Sequence, residues 1–132
     1  MSELSNQAKE LLNFKPKHEF FVGIDSDGCV FDSMEIKHKE CFCPNTIRVW
    51  GLQPISKYAR EAVEFVNLYS KWRGINRWPA LIKVFELLSE RPEVIRRGAV
   101  IPKGDDIRAF INSGLPLSDA GLKKYMETHS SE

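Results

Sequence analysis

No stretch of this sequence is apolar for long enough to cross a bilayer, and its formal net charge is only +1. The first absence removes a membrane-spanning segment. The second removes the basic field by which a nucleic-acid binder attracts phosphate. Residues 1–13 carry no signal-peptide core, so the cytoplasm is the expected compartment. Cysteine is scarce as well: Cys29, Cys41 and Cys43 form an odd set that argues against a secreted disulfide framework. His38, Cys41 and Cys43 sketch half of a zinc site, but no second ligand pair follows at a suitable spacing. Repeats and low-complexity tracts are missing, and 132 residues suit a single ordinary globular domain. The most consequential shortage is of strands. Ala99-Val100-Ile101 is the only second candidate, and Pro102 interrupts it after three residues.

Against that shortage stands one strand-like run, Phe20-Phe21-Val22-Gly23-Ile24, apolar on both faces in the manner of a strand inside a parallel sheet. It delivers two carboxylates, Asp25 and Asp27, into a turn at Gly28. Ligands of open α/β sheets collect beyond the carboxyl ends of such strands. A carboxylate placed there can act as a covalent catalyst through an aspartyl-phosphate. Mg²⁺ takes one or two carboxylates with water and substrate phosphate, and so offsets the repulsion between an anionic ester and Asp25. The second acid must protonate a leaving alkoxide and later deprotonate water, so like-charge coupling is expected to raise its pKa. A calcium loop does not fit. With Gly28 as its glycine, the first, ninth and twelfth ligand positions fall on Gly23, Phe31 and Met34. A plain turn after a strand is the ordinary alternative.

Asp25-Ser26-Asp27-Gly28 behind an apolar strand, extended by Val30-Phe31-Asp32-Ser33, resembles motif one of the haloacid dehalogenase (HAD) superfamily. The resemblance implies an α/β, Rossmann-like core and a Mg²⁺ cofactor. It implies Asp25 as the nucleophile, Asp27 as general acid and then base, and metal contacts from the Asp25 carboxylate and the Asp27 main-chain carbonyl. It is tight over residues 20–33 and loose beyond. The superfamily also expects a strand ending in Ser or Thr, then a Lys, then an acidic pair. Phe110-Ile111-Asn112-Ser113 and Gly104-Asp105-Asp106 imitate two of these in reversed order, and read better as a helix stop and a helix start. Lys123 and Lys124 lie on a polar helix face. The expected organisation is therefore residues 1–33 as the start of the core with motif one, and residues 34–132 as a mainly α-helical cap. On this expectation the rest of the core is absent, and the chain is mostly α and catalytically incomplete.

Periodicity predicts helices over residues 2–13, 33–43 (closed by Pro44), 56–70, and from Pro79 to before Pro92. A short turn to Arg97, a helix capped by Asp105 and ending at Gly114, and one capped by Ser118 and running to about Thr128 complete the set. The helix connection around Trp72 and Trp78 is rich in arginine and asparagine. Arg73, Asn76 and Arg77 are its candidate substrate readers, since guanidinium forks match phosphate. The ordinary alternative is that Asn76 caps the next helix, the tryptophans pack and the arginines are solvated. The functional expectation is a Mg²⁺-dependent phosphatase acting on a small phosphorylated metabolite. A sugar phosphomutase, or a helical protein-interaction module with a vestigial acidic turn, are the alternatives.

Overall fold

The computed structural model describes residues 6–129. Those residues are mostly helical and contain no strand; the only β-type pairing among them is an isolated bridge between Asp27 and Phe31. The chain begins with α1 (Asn6–Leu12); the part of its predicted helix before residue 6 lies outside the described residues. After the acidic turn come α2 (Met34–Ile36), a π-helical turn (Lys37–Phe42) and α3 (Cys43–Val49), continuous with one another. A 3₁₀ turn (Gln53–Ile55) leads into α4 (Ser56–Glu64), which widens into a second π-helical turn (Phe65–Tyr69). Then follow α5 (Arg77–Glu90), α6 (Pro92–Arg96), α7 (Asp105–Asn112) and α8 (Asp119–His129).

Local chemistry explains most boundaries. The Asn76 side chain accepts a hydrogen bond from the Trp78 N–H at 3.1 Å and caps α5, which starts two residues before Pro79. Pro79 is tolerated there because a first-turn residue has no intrahelical acceptor to lose. Pro92 disfavours the helical region for Arg91, whose ψ of 120° ends α5. Ser118 accepts from the Gly121 N–H at 3.2 Å and opens α8. Two expectations are corrected. Pro44 does not close its helix: the π turn, with the Cys43 N–H bonded to the His38 carbonyl, widens the spiral just where the proline ring would meet the preceding turn. Asp105 does not cap α7 either. Gly104, at φ 71°, holds the cap position, and Asp105 and Asp106 sit in the first turn, where the helix dipole favours them.

The core is one cluster. Cys43 and Ile47 of α3, Ala59 and Val63 of α4, Val66 of the π turn that follows it, Val84, Phe85 and Leu88 of α5, and Val94 of α6 are buried together, with Ile107 joining from α7. Helix α4 packs against α3 and α5, and α5 against α7. Each fully buried Leu or Phe side chain contributes about 2 kcal/mol relative to an exposed one. Residues 9–32 contribute nothing to this cluster, because every one of them is exposed.

Candidate functional site around the acidic turn

The predicted strand at residues 20–24 is corrected by the structure: it is irregular backbone, with Phe20, Phe21, Val22 and Ile24 between 71% and 93% exposed. The residues at 99–101 form no strand either, and Val100 is exposed. The reason is pairing. An isolated strand leaves its N–H and C=O groups and both side-chain faces uncovered, so extended sequence alone cannot hold it.

The turn that follows is nevertheless formed. The Phe31 N–H donates to the Ser26 carbonyl at 2.9 Å and the Gly28 N–H to the Phe31 carbonyl at 2.8 Å. Gly28, at φ 74°, takes the left-handed conformation that a side chain would resist. Asp25 accepts at 2.9 Å from the neighbouring Ser26 N–H and makes no ion pair. Asp27 is bound on both oxygens: the Ser33 hydroxyl donates to Oδ1 at 2.6 Å, and the Lys37 ammonium pairs with Oδ2 at 2.6 Å. These bonds fasten the turn to the first residues of the helical unit.

The Lys37 bond first, then the Ser33 hydroxyl and the ammonium charge, hold the Asp27 carboxyl below the usual carboxylate range. That corrects the expectation of a raised value. Asp25 exerts no dominant like-charge effect, because a cation lies against Asp27 and water surrounds both. No three His, Cys, Asp or Glu side chains among the described residues converge to hold a metal ion. For Mg²⁺ the donor set still serves in part. Asp25 has an oxygen without a protein partner, and this ion binds through one or two carboxylates and completes its shell with water.

The three candidate substrate readers have different positions. Asn76 is engaged twice, capping α5 through its oxygen and donating from Nδ2 to the Leu117 carbonyl at 2.9 Å. Arg77 pairs with Asp119 at 2.5 Å and lies over the Trp78 ring. Arg73 is exposed, and its side chain makes no hydrogen bond or ion pair. No hydrogen bond or ion pair joins any of the three to the acidic turn. Lys37 is the residue that sequence reasoning missed, and Ser33, read there only as the end of the motif, was given no role. Lys37 stands ten positions after Asp27, and only the reversal of the chain at residues 28–33 brings them together. The chain matches no protein-family model, no curated protein and no solved structure.

Proposed function

We propose that the acidic turn is the phosphoryl-transfer site of a HAD-type phosphatase for a small phosphorylated metabolite, and that residues 34–129 are its helical cap. The observation that supports this reading is the junction at residue 25. An apolar run with no cover on either face leads straight into a hydrogen-bonded turn carrying a partly unpartnered carboxylate. Such a run is the sequence of a sheet strand, and a Rossmann-like sheet around it would bury it and set Asp25 at the strand's carboxyl end.

On this reading an Asp25 oxygen attacks phosphorus, the ester P–O bond breaks, and the departing alkoxide takes a proton from Asp27. Water, deprotonated by Asp27, then cleaves the acyl phosphate and restores Asp25. Asp27 cannot donate while Lys37 holds it ionised, so the reading requires Lys37 to move from Asp27 to the incoming phosphate. Mg²⁺ at the Asp25 carboxylate and the Asp27 carbonyl would neutralise the charge of the phosphate. Arg73, the one unengaged candidate, is then the remaining cap residue to read the substrate. The test is phosphorylation of the natural polypeptide that carries these residues, with acetyl phosphate and Mg²⁺. Mass spectrometry should find one phosphoryl group on the peptide containing Asp25, and none in Asp25→Asn. Equal labelling of that variant would end the proposal.

A second reading has its own observation. The core cluster between residues 43 and 107 closes without any side chain from 9–32, as a free-standing interaction module would. Hydrolysis by the natural polypeptide, lost in Asp25→Asn, would exclude it.

A further inference from the structure

Between the long helix of residues 34–49, the π turn of residues 65–69 and the start of α5 lies a cleft of about 600 Å³. Its volume is in the range of sites for small organic molecules, and such sites are apolar with a few convergent polar groups. Phe42, Val49, Trp50, Ile75, Leu81 and Val84 supply apolar lining. Polar side chains interrupt it, and three of them have hydrogen-bonding atoms to spare. Asn67 spends one amide proton on the Val63 carbonyl and keeps its oxygen free; His38 Nδ1 and Trp78 Nε1 are buried with no hydrogen-bond partner at all. Buried polar atoms are rarely left so, and two in the wall of one cleft mark an unmet demand for hydrogen bonds.

The charge of the cleft narrows the class of occupant. Its only charged side chains, Arg77 and Asp119, neutralise each other at 2.5 Å. His38, desolvated and beside Lys37, is held below the ordinary imidazole range and so stays neutral. An ion entering this cleft would lose hydration and gain no counter-charge, whereas a flat neutral ring would lose little and gain aromatic walls. We infer that the cleft binds an uncharged aromatic molecule bearing a hydrogen-bonding heteroatom. This does not depend on the chemistry of Asp25.

Two probes with one skeleton test it. N-phenyl-1-naphthylamine is neutral, and 1-anilinonaphthalene-8-sulfonate is the same framework with a negative charge. The neutral probe should bind the whole chain with one-to-one stoichiometry, about tenfold more tightly than the sulfonate. Val49→Trp and Ile75→Trp should each weaken it by about tenfold by filling the mouth. These positions are 66% and 38% exposed, so the core need not yield to the larger ring. Phe21→Ser, in the exposed apolar run, should leave binding unchanged. Equal or tighter binding of the sulfonate would overturn the inference, as would indifference to both tryptophan variants or loss in Phe21→Ser. The indole N–H resonance of Trp78 provides a measurement on the unmodified protein. It should shift as the neutral probe saturates, and a resonance that does not move refutes the assignment even if both variants fail to fold.

Discussion

Replacing Gly28 by alanine tests whether the acidic turn is held in one conformation or merely passes through it. The structure supplies two costs. Gly28 sits at φ 74°, where a Cβ costs about 1 kcal/mol. The new methyl would also lie 2.8 Å from Met34 Cγ, and displacing that flexible side chain from its rotamer costs about 1 kcal/mol. Alanine stiffens the opened chain as well, which offsets about 0.5 kcal/mol. The net loss is about 1.5 kcal/mol, or roughly tenfold in the opening equilibrium. Amide hydrogen exchange at Phe31, whose N–H closes the turn on Ser26, reads that equilibrium directly. Gly28→Ala should speed exchange about tenfold, and adding Met34→Ala should restore about a fivefold part of it. Gly51→Ala is the matched comparison, because Gly51 has φ 65° and nothing within 4 Å of its added Cβ. There only the conformational part remains, about 0.5 kcal/mol net, and the amide of Leu52, bonded to Ile47, should lose about twofold protection. Unchanged exchange at Phe31 in Gly28→Ala, or no recovery with Met34→Ala, would refute the reasoning.

Other expectations follow from the same geometry. Lys37→Met should return the Asp27 carboxyl toward its ordinary range, followed by carbon NMR across an acid titration; an unmoved midpoint would remove the ion pair from the account. Because burial lowers the imidazole of His38, the unfolded chain binds that proton more readily. Stability should therefore be full above the ordinary imidazole range and fall as pH drops through it; in His38→Phe that part of the slope, read by urea melts at several pH values, should disappear. Asn76→Ala removes both the α5 cap and the tie to Leu117, and should cost about 1–2 kcal/mol in urea unfolding. Leu88→Ala, at a fully buried position, should cost about 3 kcal/mol by the same measurement; a loss below 1 kcal/mol would mean the core is packed otherwise.

The helical part was legible to different depths in different places. Ile55, Ala59, Ala62, Val63 and Val66 repeat at helical spacing, and Pro92 and Gly98 punctuate α5 and α6, so these elements follow from local rules. Continuation of the helix past Pro44 was not legible, because a π turn depends on how neighbouring helices press on the spiral and not on the residues at hand. For Asn76, two readings were open from sequence. The structure shows it capping α5 and bonding Leu117, and the second bond spans 41 positions that no pattern connects.

What the sequence by itself determined is the short-range part. It set which residues are amphipathic along 3.6-residue turns, where Pro92, Gly98 and Ser118 break the chain, and that two carboxylates follow an apolar run. Those outcomes depend on neighbours within a turn or two, and every such neighbour is visible in the order of residues. Only the tertiary structure decided that the apolar run at 20–24 lies uncovered, that Lys37 and Ser33 take both oxygens of Asp27, and that Arg77 is neutralised by Asp119 at the edge of a cleft. These outcomes depend on pairing across the fold, where burial and charge are set by whichever groups packing brings within a few ångströms.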